Sequence, residues 1–122
     1  MNLEIQNKTA LITGSTVGIG WATAERLADE GAAVVLNGRT PERVDEATRR
    51  LKDAVPEANV HGIAADLGTA EGAAVVTEAL PDVDILVNNV GIFEPAPFDE
   101  IDDDSWMRHW QVNVMSGVRL TR

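Results

Sequence analysis

Cysteine is absent from the 122 residues, which excludes disulfides and thiolate metal sites and tilts the expected compartment toward the cytoplasm. Aromatic residues make up only 4%, so the apolar mass comes from Ala, Val, Leu and Ile. That mix suits helices laid closely on a sheet of β-branched strands. No apolar run approaches the ~20 residues of a membrane span. Met1 to Thr9 shows no apolar stretch behind a basic start, so a signal peptide is not expected. Lys8 and Lys52 are the only lysines, and the net charge is −10. A chain this acidic is repelled by nucleic acid and by anionic membranes, so neither is expected as a partner. A phosphorylated small molecule stays open, because a local arginine or a helix N-terminus can override the global field.

What is present reads as one domain, residues 1–122, with short apolar runs alternating with amphipathic stretches. Lys8 to Thr13 is a buried strand running into Gly14. Gly18 to Glu30 is a helix, with Ile19, Ala22, Leu27 and Ala28 as its apolar positions and Gly31 closing it. Ala32 to Asn37 is a Val-rich second strand. Thr40-Pro41 then reads as an N-cap and first helical residue, opening a helix to about Val55 with Val44, Ala47, Leu51 and Ala54 on one face. Asn59 to Ala65 is a third strand, Thr69 to Leu80 a short helix, and Val83 to Asn88 a fourth strand. A loop rich in Pro, Phe and acid covers Gly91 to Asp104, and a last helix starts near Asp104 or Ser105. Such alternation predicts parallel strands joined by helical crossovers, and the near-continuous Val, Leu and Ile runs predict burial on both faces. The expected class is α/β, a Rossmann-type doubly wound parallel sheet, truncated after the fourth strand and part of the following helix.

The sharpest local signal is Thr13-Gly14-Ser15-Thr16-Val17-Gly18-Ile19-Gly20, set after the first strand and opening the first helix. Glycines there allow a tight turn and let a pyrophosphate approach the backbone, while the helix N-terminus offers free N–H groups and partial positive charge. The spacing is Thr-Gly-x-x-x-Gly-Ile-Gly, and with three further motifs the chain resembles the short-chain dehydrogenase/reductase family. Asp66-Leu67 is similar to the family's adenine-contacting position, and Asn88-Asn89-Val90-Gly91 to its Asn-Asn-Ala-Gly motif, with Val90 replacing Ala. Asn113 resembles the helix asparagine of its catalytic tetrad. The resemblance implies a cofactor site built from Gly14, Ser15, Thr16, Gly18, Ile19, Gly20, Arg39, Asp66, Leu67, Asn89 and Gly91, with Asn113 as the catalytic position. Asn88 is expected mainly to tie strands together.

An enzyme selecting NAD would end its second strand in a carboxylate that binds the ribose and repels a 2′-phosphate. Here the strand ends Leu36-Asn37-Gly38-Arg39-Thr40. A guanidinium can bind a phosphate through two parallel hydrogen bonds, Gly38 removes a crowding side chain, and Ser15 or Thr16 could add a hydroxyl. NADP is therefore expected over NAD. The resemblance further implies hydride transfer with a small carbonyl or alcohol substrate, and a homodimer or homotetramer of the intact protein. It implies Ser, Tyr and Lys residues as well, the last two in a Tyr-x-x-x-Lys motif after a fifth strand. This sequence contains no tyrosine, and Arg122 falls inside an amphipathic helix with no stop signal. The expectation is the first half of a longer enzyme, inactive by itself. A nucleotide-binding module without redox chemistry is the alternative; a methyltransferase is disfavoured by the missing second-strand acid.

His61 and His109 lack partners at ligand spacing and read as ordinary histidines. Asp102-Asp103-Asp104 reads as an acidic helix start rather than a metal site, and Trp106 and Trp110 as core or oligomer contacts.

Overall fold

A computed structural model describes all residues from Met1 to Arg122. Four strands, β1 (Thr9–Ile12), β2 (Ala33–Gly38), β3 (Val60–Ala64) and β4 (Ile85–Val87), form one sheet of order β3-β2-β1-β4. Every pairing is parallel, with Ala10 beside Val34 and Ile85, and Val34 beside Val60. Helices α1 (Gly18–Asp29), α2 (Pro41–Ala54) and α3 (Ala70–Ala79) make the crossovers. After β4, a 3-10 turn (Phe98–Glu100) leads into α4 (Asp103–His109), a π-helical segment (Trp110–Met115) and α5 (Ser116–Thr121).

Side chains alternate along each central strand, and the two faces form two cores. Ala10, Ile12, Val34 and Leu36 pack under Ala24 and Ala28 of α1 and Ala47 and Leu51 of α2. Leu11 and Val35 face the other way, onto Leu67 and Val76, with Leu120 of α5 alongside. Helices on both faces of a parallel sheet are what near-continuous apolar strands require. The edge strands are wetter: Ile85, Leu86 and Val87 are half-buried, and His61 and Gly62 of β3 are exposed.

Several helix features match the sequence reading. Gly31 follows α1 at φ +94°, and Thr40 caps α2 by accepting the Arg43 N–H at 3.4 Å, with Pro41 next. Asp102 caps α4 by accepting the Ser105 N–H at 2.8 Å, with Asp103 and Asp104 in the first turn. Other expectations need correcting. On α1 the buried face is Gly20, Ala24 and Ala28, while Ile19 is 81% exposed and Ala22 faces solvent. Small residues were needed because the helix lies close to the sheet, and periodicity of bulk does not report that. Ala54 is exposed, outside the α2 stripe of Val44, Ala47 and Leu51. Trp106 and Trp110 are 52% and 51% exposed, so neither is core; Trp106 meets Phe98 edge-on at 6.2 Å. Asn88 ties no strands: its amide donates to Thr121 Oγ1 at 3.0 Å, joining the end of β4 to α5. No helix is long and apolar enough to cross a membrane.

Candidate functional site

The C-terminal ends of the strands are stitched around the turn that follows β1. Asn37, buried at the end of β2, accepts the Gly14 N–H on Oδ1 at 3.1 Å. Its amide donates to the carbonyls of Ile63 and Ala65 at 3.2 and 3.3 Å. On the other side, Thr13 Oγ1 accepts the N–H groups of Asn89 and Val90 at 2.9 and 3.0 Å. The Asn89 amide donates to the carbonyls of Thr13 and Gly14, each at 3.0 Å. Two asparagines and a threonine thus fix the turn against β3 and β4 at once.

Within the turn, Gly14 and Gly18 sit at φ +59° and +62°, where a side chain is strained. A Cβ at Gly18 would meet nothing within 4 Å, so the backbone is bare at that point. Gly20 serves packing instead: a Cβ there would lie 2.5 Å from both Gly14 O and Asn89 Nδ2. The helix that follows has Val17 in the N-cap position, no side-chain cap and no acid in its first turn. Its first N–H groups therefore have no side-chain partner, and helix ends of this kind bind anions.

A cleft of about 410 Å³ opens in front of this turn. Its walls come from Gly14, Thr16 and Val17 of the turn, Gly38 and Arg39 after β2, Asp66 to Gly68 after β3, and Val90 to Ile92 after β4. Arg43 of α2, Arg108 of α4, and Gln111 and Val112 of the π-helical segment also line it. The end of an open parallel sheet where neighbouring connections run to opposite faces is where α/β folds bind ligands. A larger hollow, about 800 Å³, lies at the other end of the sheet among Gln6, Asn7, Glu30 and Asn59; it has none of the turn's free N–H groups.

Charge in the cleft opposes that of the whole chain. The ion pairs are Met1 with Glu30, Arg26 with Asp29, and Arg108 with Glu94. None uses Arg39 or Arg43, so two guanidiniums face the cleft without a carboxylate. Arg43 lies outside the sequence motifs. Its position in the first turn of α2, where the helix dipole disfavours a cation, was the available signal.

Sequence-derived site residues divide into those that reach the cleft and those that build it. Gly14, Thr16, Arg39, Asp66 and Gly91 line it. Ser15 does not: it is 0% exposed, its hydroxyl donates to Ile12 O at 2.6 Å and accepts the Asn37 N–H at 2.9 Å. That hydroxyl is consumed between β1 and β2 and cannot reach a phosphate. Leu67 is 1% exposed and packs in the core, although it borders the cleft. Asp66 uses Oδ1 to accept the Gly68 N–H at 2.9 Å. Val90 packs against the α3 core and lies against the turn, with Cγ2 3.1 Å from where a Gly14 Cβ would be.

Asn113 stands in the π-helical segment, an irregularity for which the sequence held no local signal. Its Oδ1 accepts the Ile92 N–H at 2.7 Å and its Nδ2 donates to Ile92 O at 2.9 Å. Both ends of the amide are thus spent on the backbone of one residue of the cleft wall. The π turn and the loop after β4 are held as a pair, reinforced by Arg108 with Glu94. π-helical turns frequently accompany functional sites. His109 places Nδ1 2.7 Å from Ser105 O on its own helix, away from any other titratable ligand.

Residues 8–122 match the family model of short chain dehydrogenases. An oxidoreductase of Bacillus subtilis, YvaG, is 57% identical over 122 residues, covering 100% of this chain and 46% of its own length. A 3alpha-hydroxysteroid dehydrogenase of Mediterraneibacter gnavus is 36% identical over 93% of this chain and 47% of its own. Among solved structures, L-sorbose reductase from Gluconobacter frateurii, complexed with NADPH and L-sorbose, superimposes with a TM-score of 0.92 at 40% identity. It is covered over 48% of its length by the whole of this chain. The chain spans about half the length of the relatives it matches.

Proposed function

The chain belongs to the short-chain dehydrogenase family, and from that premise we propose that it forms the NADPH-binding half of a cytoplasmic carbonyl reductase or alcohol dehydrogenase. The observation that carries this reading is the convergence, on one cleft, of an uncapped helix end with two unpaired arginines. The donor set fits a dinucleotide with an extra phosphate. Backbone N–H groups from Thr16 to Ile19 suit a pyrophosphate, those of Gly14 and Ser15 being taken by Asn37, and Arg39 and Arg43 suit a 2′-phosphate. Thr16 takes the hydroxyl role that Ser15 cannot. The free oxygen of Asp66 and the main chain of Leu67 suit the adenine, and the main chain of Asn89 to Gly91 suits a ribose. The Asn89 side chain acts by holding the turn.

Bound there, NADPH supplies a hydride for a carbonyl carbon. These residues bind and orient it; they do not move the accompanying proton. Asn113 cannot do so, since an amide neither gives nor takes a proton near neutral pH, and the 122 residues include no tyrosine. Asn113 acts on the site through the Gly91–Ile92 backbone it clamps. The 122 residues alone are therefore inactive in this reading, because a positioned proton donor is worth ~10²–10⁴-fold in rate. L-sorbose reductase, the NADPH-complexed relative, supports the cofactor assignment by likeness.

The test is a titration of the full-length protein with NADPH and with NADH, repeated for Arg39→Asp. NADPH should bind at least about tenfold tighter, the scale of a charge-assisted hydrogen bond, and the substitution should abolish or reverse the difference. An unchanged preference would remove the arginine from its role. The alternative reading is a nucleotide-binding module without redox chemistry, which absence of a tyrosine and lysine from the rest of the full-length protein would favour. NADPH oxidation by the full-length protein with a panel of ketones and aldehydes separates the two, since the module would bind NADPH and turn over none.

A further inference from the structure

Gly38 ends β2 beside the glycine turn, and its backbone does not occupy the left-handed region taken by Gly14, Gly18 and Gly31. A side chain would be conformationally allowed there. Its neighbours forbid one. A Cβ at position 38 would stand 2.5 Å from Thr16 Cγ2 and 3.2 Å from Val44 Cγ2. Val44 is buried on α2 against the sheet, where a close-packed core gives it little room to retreat. Thr16 is only half-buried and borders the cleft, so it is the residue that would have to move. It is β-branched, so its methyl and hydroxyl turn together about one stiff torsion. The methyl cannot vacate its place without carrying the hydroxyl to a new one.

We propose that Thr16 and Gly38 form a single specificity unit, in which the Thr16 methyl fills the space that any side chain at the end of β2 would need. This deepens the NADPH reading above and rests on it for its consequence. A ribose-binding carboxylate selective for NAD belongs at the end of this strand, and position 38 cannot accept one while Thr16 keeps its methyl. Cofactor choice is thus held from two sides, by Arg39 and Arg43 attracting the phosphate and by Thr16 excluding the competing acid. Glycine at 38 answers a neighbour on another strand's turn, not the demands of its own backbone.

The experiment compares Gly38→Ala, Thr16→Ser and the double variant in the full-length protein, reading thermal midpoint and NADPH affinity. Gly38→Ala should lower both, the affinity by about tenfold as overpacking next to the turn displaces it. Thr16→Ser keeps the hydroxyl and removes only the methyl, so adding it should restore the midpoint of Gly38→Ala toward that of Thr16→Ser alone. Gly38→Asp should bind neither NADPH nor NADH well, and Thr16→Ser with Gly38→Asp should regain NADH. Gly38→Ala with an unaltered midpoint and NADPH affinity would overturn the proposal, as would a double variant no better than Gly38→Ala. Equal affinity of the unsubstituted protein for NADPH and NADH would defeat the cofactor reading instead; the midpoints of the alanine and serine variants would still decide the steric lock.

Discussion

Helices α2, α3 and α4 begin in one way and α1 in another. Thr40, Thr69 and Asp102 each accept a backbone N–H from the first turn of their own helix, and each of those turns carries an acid. Val17 at the head of α1 accepts nothing, and no acid follows it. In a chain of net charge −10, an end without a carboxylate stands out against three that have one. A side-chain cap contributes about 1 kcal/mol, so α1 forgoes stability that its three counterparts take. Its free N–H groups lie beside the two arginines without carboxylate partners, which makes the forgone cap intelligible as room for an anion.

Substitution should break this contrast most severely at Gly20. Gly20→Ala sets a methyl against Gly14 O and Asn89 Nδ2, forcing α1 off the turn that its N–H groups serve. A loss on the order of 3 kcal/mol in denaturant unfolding is expected, with NADPH affinity falling alongside. Wild-type stability would mean that α1 does not depend on contact at this glycine. Asn113→Ala comes next: it leaves the Ile92 peptide without its clamp at about 1 kcal/mol. In the full-length protein, turnover should fall more than NADPH affinity, and steady-state kinetics with a direct binding titration would show the split. The smallest effect is expected for Asp102→Ala. It removes a cap of the ordinary kind, costing about 1 kcal/mol or less at this exposed end. Nucleotide affinity should not change, since α4 begins away from the cleft; a weakened NADPH titration would tie this cap to the site after all.

The difference between the two kinds of helix start was partly visible in the sequence. Thr40-Pro41 and the Asp102–Asp104 run are local signals, as are the glycines of the turn and the Val-rich strands, and from them the order of elements and the doubly wound class followed. What local patterning missed depends on contacts distant in sequence. Ser15 looks like a phosphate-binding hydroxyl until β2 lies beside β1 and Asn37 claims it. The α1 face looks like Ile19 and Ala22 until the close approach of helix to sheet selects Gly20, Ala24 and Ala28. Arg43 joins Arg39 only because α2 starts at the lip of the cleft. The π turn around Asn113 is stabilised by pairing with Ile92, 21 residues away, and no window along the helix contains its cause.

The central claim, that α1 is left uncapped so that its N-terminus can hold the dinucleotide, is tested most directly by supplying the missing cap. Val17 is extended, at φ −147° and ψ 172°, the conformation an N-cap aspartate or serine adopts. Val17→Asp should therefore raise unfolding stability by about 1 kcal/mol, while its carboxylate competes for the same N–H groups and repels the pyrophosphate. Thermal midpoint and NADPH dissociation constant, measured on the same preparations of the full-length protein, should move in opposite directions, stability up and affinity down. Undiminished NADPH affinity in a stabilised Val17→Asp protein would contradict the claim.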